Sequence, residues 1–138
     1  MQKIANKHKR FNEFYNENRI IIAGTRTFSD YEKAKLHLDQ LIGHVEKAVI
    51  FSGMAKGADQ MGERYAKERG FPILTFIPDW DEYGKKAGPI RNQRMVEKAS
   101  YLIAFWDGKS KGTKHCINAA FKKGIPVSII NTTKNPWI

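Results

Sequence analysis

The sequence predicts an α/β domain: a five-stranded, mostly parallel sheet with helices on both faces, in the strand order 3-2-1-4-5. Three observations carry that expectation. Short, nearly continuous apolar runs alternate with helical patterns, as strands covered on both faces require. Glycine-bearing turns follow the ends of these runs at Gly24-Thr25-Arg26, at Ser52 to Asp59 and at Trp106 to Thr113. The 138 residues, 41% hydrophobic and 12% aromatic, suffice for one core and are too few for two comfortable ones.

Residues 1–18 read as a basic amphipathic arm, with Ile4, His8, Phe11 and Tyr15 at helical spacing, Phe14 beside them, and Lys3, Lys7, Lys9 and Arg10 supplying charge. The domain proper is assigned to residues 19–138. Arg19 to Ala23 is the first strand. Ser29 and Glu32 match a capping box, and Tyr31, Ala34, Leu38, Leu41, Ile42 and Val45 form the apolar stripe of the first helix. Ala48 to Ser52 is the second strand. Ala58, Met61, Gly62, Tyr65 and Ala66 give the second helix a face of small residues that ends at Gly70. Pro72 to Ile77 is the third strand. The polar, glycine-containing stretch from Pro78 to Gly88 is long for a connection and is marked as a functional segment, and Pro89 opens a helix running to Ala99. Tyr101 to Phe105 is the fourth strand. A helix beginning near Lys114 and ending at Lys123 turns Cys116, Ile117, Ala120 and Phe121 inward, and Pro126 to Ile130 is the fifth strand. The tail after it looks irregular.

Parallel neighbours need right-handed crossovers, and ligands of such sheets lie beyond the carboxyl ends of the strands, where the strand order reverses. In the order 3-2-1-4-5, strands one and four meet at that reversal, so their turns face each other and the turn after strand two joins them. Main-chain amides freed by such turns, at the start of a helix, grip anions. The leading ligand is therefore a small phosphorylated molecule.

Composition and motifs narrow the classes. With 24 Lys and Arg against 14 Asp and Glu, the net charge of +10 attracts polyanions, free nucleotides and acidic partners alike. The single Cys116 excludes an internal disulfide. No apolar run approaches the roughly 20 residues of a membrane span, and the first 20 residues have no signal-peptide core; a cytoplasmic protein without membrane partners is expected. A Walker A loop would need glycine at the position of Ile103, five before Gly108-Lys109-Ser110. Gly24-Thr25-Arg26-Thr27-Phe28-Ser29 is not a dinucleotide fingerprint, and no acidic residue closes strand two. His8, His37, His44 and His115 have no metal-ligand spacing; no metal and no resident cofactor are expected.

Four segments in order, G-T-R-T-F-S-D-Y, S-G-M-A-K-G-A-D-Q-M-G-E-R-Y-A, D-W-D-E-Y-G-K-K-A-G-P-I-R-N and A-F-W-D-G-K-S-K-G-T-K-H, resemble the SLOG superfamily, in particular its YspA-type, YpsA-related branch, over about residues 19–130. The resemblance implies a Rossmann-like three-layer sandwich that binds nucleotides or nucleotide-derived ligands, and distant similarity to the LONELY GUY phosphoribohydrolases and to DprA, a binder of single-stranded DNA. The phosphoribohydrolase signature P-G-G-x-G-T-x-x-E is similar to D-G-K-S-K-G-T-K-H-C, keeping Gly108, Gly112 and Thr113 but placing Cys116 where the family has its glutamate. A neutral thiol cannot stabilise a cationic sugar in the transition state as a carboxylate does. Arg91 and Met95 keep two positions of an upstream R-K-x-x-M pattern. Phosphate binding thus transfers better than catalysis.

The candidate ligand-binding residues are Gly24, Thr25, Arg26, Ser52, Gly53, Gly57, Asp59, Arg91, Asn92, Trp106, Asp107, Gly108, Ser110, Gly112 and Thr113. Arg26 and Arg91 suit a phosphate clamp, against the plainer reading of surface ion pairs. Ser52, Ser110 and Thr113 offer hydroxyls, although helix capping alone would explain Thr113. Asp59, Arg91 and Asp107 are the candidates for catalysis, with helix capping and loop organisation as the bland roles of the two aspartates. Lys109, Lys111 and Lys114 form a basic rim. Trp80 and Tyr83 are either base-stacking or packing residues, and Cys116 is either a reactive thiol or a small buried one. Three functions stay open: a ligand-sensing or binding module, with a homo-oligomer such as a dimer among its partners; a nucleotide N-glycosidase; and a single-stranded nucleic-acid binder.

Overall fold

The computed structural model describes residues 18–133, so the amino-terminal arm falls outside the described residues apart from Asn18. Five strands, β1 (Asn18–Gly24), β2 (Ala48–Ser52), β3 (Ile73–Thr75), β4 (Tyr101–Trp106) and β5 (Val127–Asn131), form one sheet in the order β3-β2-β1-β4-β5. All four neighbouring pairs are parallel. The order is the expected one, and its reversal lies between β1 and β4.

The three layers follow from alternation along the strands. Ile20 and Ile22 of β1 point to one face, where α1 (Tyr31–Ile42) and α2 (Ala58–Arg69) cover them with Ala34, Leu38, Met61 and Tyr65. Ile21 and Ala23 point to the other face, under α4 (Ala87–Lys98) and α5 (Lys111–Lys123), against Met95, Val96, Cys116 and Ile117. A four-residue helix α3 (Trp80–Tyr83) and a 3₁₀ turn at Gly84–Lys86 lie between β3 and α4. Right-handed crossovers put the connections leaving β1 and β2 on one face and those reaching β4 and β5 on the other. Gly62 lets α2 settle on the sheet, because a Cβ there would stand 2.7 Å from the side chain of Ile22.

Several boundaries differ from the sequence expectation. Asp30, not Ser29, caps α1: its carboxylate accepts the Lys33 N–H at 3.1 Å, and a charged cap complements the helix dipole better than a hydroxyl. Strand β3 is shorter than Pro72 to Ile77, since Pro72 has no N–H and joins the sheet only by accepting from Ile50, 2.9 Å away. Strand β4 extends one residue further, to Trp106, and β5 is displaced by one, to Val127–Asn131. Helix α4 begins at Ala87, continuing the 3₁₀ turn, with Pro89 still among the first amides that lack an intrahelical partner. Helix α5 begins at Lys111, three residues before Lys114, and leaves Phe121 59% exposed because that position lies about 100° past Ala120, at the margin of the buried stripe.

Candidate functional site

Beyond the carboxyl ends of β1, β2 and β4, the three glycine turns meet around a hollow of about 70 Å³. Gly24 and Arg26 contribute from the first turn, Ala55 and Asp59 from the second, Ser110, Gly112, Thr113 and Cys116 from the start of α5, and Arg91, Asn92 and Met95 from α4. Each water needs roughly 10–15 Å³ of such space, so the hollow has room for about five waters, the scale of one phosphate group.

The turns approach this closely only because glycine stands at two points. At Gly24, φ +152°, a Cβ would lie 2.0 Å from the Phe105 carbonyl oxygen, so β1 and β4 close on each other at the reversal. At Gly57, φ +77°, a Cβ would lie 2.4 Å from the Arg26 carbonyl oxygen, so the first and second turns touch. Thr25, almost fully buried, ties the first turn to the third: its amide donates to Phe105 O at 2.8 Å and its hydroxyl accepts from the Asp107 amide at 3.1 Å.

Two guanidinium groups face the hollow. Arg91 donates through Nη1 to Gly53 O at 2.7 Å and through Nε to Asn92 Oδ1 at 2.8 Å, leaving Nη2 without a protein acceptor among the described residues. The exposed Arg26 has no side-chain hydrogen bond or ion pair among the described residues, although its guanidinium lies close enough to repel that of Arg91. Burial and, secondarily, this repulsion hold Arg91 below the ordinary arginine range, while Asp59 acts in the opposite direction. Asp59 approaches the same glycine, its Oδ2 3.0 Å from where a Cβ of Gly53 would stand, and accepts from the Ala55 amide at 3.3 Å. Burial pushes its carboxyl up to about 6, despite that hydrogen bond and the nearby Arg91. A clamp of two cations with one carboxyl that protonates near neutrality can receive an anion and exchange a proton with it.

Of the candidate residues, Gly24, Arg26, Asp59, Arg91, Asn92, Ser110, Gly112 and Thr113 come together at the hollow. Others hold the frame. Ser52 donates to Glu63 at 2.6 Å and accepts from the Met54 amide at 3.1 Å; Trp106 Nε1 donates to Ser110 O at 3.0 Å. Asp107 accepts from the Ser110 and Lys109 amides, each at 2.8 Å, which lowers its carboxyl and makes it the organiser of its turn, outside the hollow. Gly108, Lys109, Lys111 and Lys114 are exposed and outside it as well. Ser110 begins α5 without a side-chain bond to its backbone; its hydroxyl meets that of the buried Thr113 at 3.1 Å instead. Asn92 braces α4 against α5 by donating to Gly112 O at 3.2 Å.

Cys116 is 2% exposed, and burial together with Asp59 pushes its thiol up to about 12, which rules out a ready thiolate. Sequence reasoning missed Ala23 and Ala55, apolar positions with no chemical signature, and marked Met95 only through the R-K-x-x-M resemblance without placing it among the ligand-binding candidates. It also missed Glu63, although the i,i+4 spacing from Asp59 puts both on one face of α2. Among the described residues no group of His, Cys, Asp and Glu could hold a metal, and no helix is long and apolar enough to cross a membrane.

A wider trough of about 950 Å³ runs between the start of α1 and β5, past Lys33, His37 and Asp107. Its nearest ammonium is already used, Lys33 Nζ donating to Asn131 O at 3.0 Å. It presents no second cation to match the pair at the hollow.

A five-stranded parallel sheet with helices on both faces defines a Rossmann-like α/β protein, and the cationic hollow lies at its reversal of strand order. The solved structure of DNA processing protein A (DprA) from Streptococcus pneumoniae shares this fold, with a TM-score of 0.67 at 19% identity over 85% of this chain; the chain spans only 51% of that one. The Gene 61 protein of Mycobacterium phage D29 is 38% identical over 116 residues, covering 79% of this chain and 93% of the relative. A profile of the YspA, cpYpsA-related SLOG family matches residues 18–83. The chain belongs to that family.

Proposed function

We propose that the protein binds a nucleotide or nucleotide-derived small molecule by seating a phosphate group in the hollow at the β1–β4 reversal, as a binding or sensing module. One observation carries this reading: Arg26 and Arg91 converge on one recess with donors that no protein acceptor satisfies among the described residues. A half-buried guanidinium that repels its neighbour gains most from an anion that pairs with both. The start of α5 adds the positive end of its dipole beside the same recess, with the amides of Lys111, Gly112 and Thr113 lacking intrahelical partners. The recess suits a terminal phosphate rather than a continuous strand, whose backbone needs an open basic groove; binding to single strands would betray itself by a steep salt dependence.

The test uses Gly112, where a Cβ would meet nothing within 4 Å, so that Gly112→Asp keeps the fold and puts a negative charge at the recess. At a ligand concentration a hundredfold above Kd, binding stabilises a protein by about 2.7 kcal/mol. Adenosine monophosphate is expected to raise the Tm of the parent protein and not that of Gly112→Asp. Equal shifts in the two would reject the site.

A second reading is supported by Asp59. Cys116 replaces the glutamate of the phosphoribohydrolase signature, yet the same recess receives a carboxyl from α2, poised near neutrality. Asp59 would serve an N-glycosidase by stabilising the developing positive charge on the sugar. Chromatography of adenosine monophosphate incubated with the protein tests this: release of free base lost in Asp59→Asn supports it, and binding without turnover removes it.

A further inference from the structure

Next to the phosphate-sized hollow lies a second, wider chamber of about 310 Å³, and the two share Arg26, Ala55 and Arg91 as a common wall. The rest of the chamber is of another chemistry: Met54, Ile77, Pro78 and Trp80. Six large apolar side chains are exposed among the described residues, and three of them, Met54 (54%), Ile77 (69%) and Trp80 (53%), line this one chamber. Scattered exposed apolar residues need no explanation, whereas a cluster against two arginines does.

The backbone adds a separate observation. Met54 is the sole non-glycine residue with positive φ among the described residues, at 59°. Such a conformation costs roughly 1 kcal/mol or more and persists only where its surroundings enforce it. Here the Ser52 hydroxyl accepts the Met54 amide while donating to Glu63, which fixes the turn and leaves the Met54 side chain in the chamber. Trp80 is carried over Gly88, at which a Cβ would stand 3.7 Å from the indole edge. A polarisable thioether, an aliphatic side chain, a proline and an indole around one space suit a flat ring, which stacks on tryptophan and takes sulfur at its edge.

We propose that this chamber is a ring-binding subsite, and that the ligand is a phosphate monoester carrying a planar aromatic ring on its sugar, with the phosphate in the hollow and the ring against Trp80, Met54 and Ile77. This inference rests on the phosphate reading and adds what lies beyond the phosphate. Arg26 and Arg91, belonging to both spaces, hold the junction between them. Because the hollow has room for about one phosphate group, a monophosphate is expected to fill it and to bind better than a triphosphate.

Calorimetric titrations with adenosine monophosphate, ribose 5-phosphate and adenosine triphosphate separate the two claims, using the parent protein, Trp80→Ala and Trp80→Phe. The parent is expected to bind adenosine monophosphate at least tenfold more tightly than ribose 5-phosphate, and more tightly than the triphosphate. Trp80→Ala should remove that advantage while leaving ribose 5-phosphate affinity within twofold, and Trp80→Phe should restore most of it. Equal affinity of the parent for the two monophosphates overturns the subsite and spares the phosphate reading. Equal losses for both ligands in Trp80→Ala also overturn it, by making Trp80 a structural support. Absence of binding by every compound overturns both claims.

Discussion

Arg69 and Arg91 stand at opposite ends of the same sheet and are treated in opposite ways. At the amino end, both terminal nitrogens of Arg69 are employed: Nη1 donates to Tyr65 Oη at 2.6 Å and Ile42 O at 3.5 Å, and Nη2 to Val45 O at 2.7 Å and Gly43 O at 3.3 Å. Its guanidinium also lies 4.7 Å from the centre of the Phe71 ring, and Tyr65 passes the network on to Asp39 at 2.8 Å. At the carboxyl end, Arg91 has two acceptors and a repelling neighbour. At one end both terminal nitrogens are used within the fold, and at the other one of them has no protein acceptor among the described residues. The better-satisfied guanidinium lies at the end opposite the proposed site, and the less satisfied one at the proposed site itself.

Substitutions test that contrast, and the largest effect is expected where the working end is held together. Gly57→Ala combines a positive φ with a Cβ 2.4 Å from Arg26 O; a loss of about 3 kcal/mol or more is expected in urea unfolding, and a loss below 1 kcal/mol would mean the turns do not need their close approach.

Next comes Asp59. Well below pH 3.8 its carboxyl is protonated whether the chain is folded or not, and it costs nothing. As pH rises from 3.8 towards about 6 the unfolded chain ionises first and folded-state stability is lost, and above that the cost stays constant. At 1.36 kcal/mol per unit, the difference reaches about 3 kcal/mol as an upper bound. Asp59→Asn should therefore be more stable than the parent at pH 7, with the difference shrinking as pH falls through about 6 and vanishing well below 3.8. Equal stability throughout would show that burial does not strain this group.

The two arginines supply the direct comparison. Arg69→Met orphans carbonyls at the amino end and should cost about 2 kcal/mol without altering ligand affinity; Arg91→Met should cost about 1 kcal/mol or less and abolish ligand-induced stabilisation. The reverse pattern would break the distinction between the two ends. The smallest effect belongs to Gly112→Ala, expected within about 0.5 kcal/mol of the parent because its Cβ points into open space.

The sheet was legible because its cause is written locally. Ile20 to Ala23 and Leu102 to Phe105 are apolar on both faces, and alternation with helices leaves few strand orders, so the reversal and the three turns followed from pattern alone. What escaped depends on distance in space. Nothing near Arg91 in the sequence announces that it reaches the Gly53 carbonyl, 38 positions away, and nothing around Met54 announces a left-handed backbone. The assignment of Asp107 to the ligand-binding and catalytic candidates could not anticipate that its carboxylate turns back on the amides of Lys109 and Ser110. Ser29 and Asp30 are both good caps, and only the folded chain chooses between neighbours.

The single thiol closes the argument in practical terms. Cys116 forms part of the wall of the hollow at the β1–β4 reversal yet is 2% exposed, with its sulfhydryl pushed up to about 12. Alkylating reagents can reach it only during transient opening, so the rate of labelling is a built-in clock for the breathing of the strand reversal. A molecule seated there should slow that clock, which lets a library of unmodified metabolites be screened on the native protein with no engineered reporter.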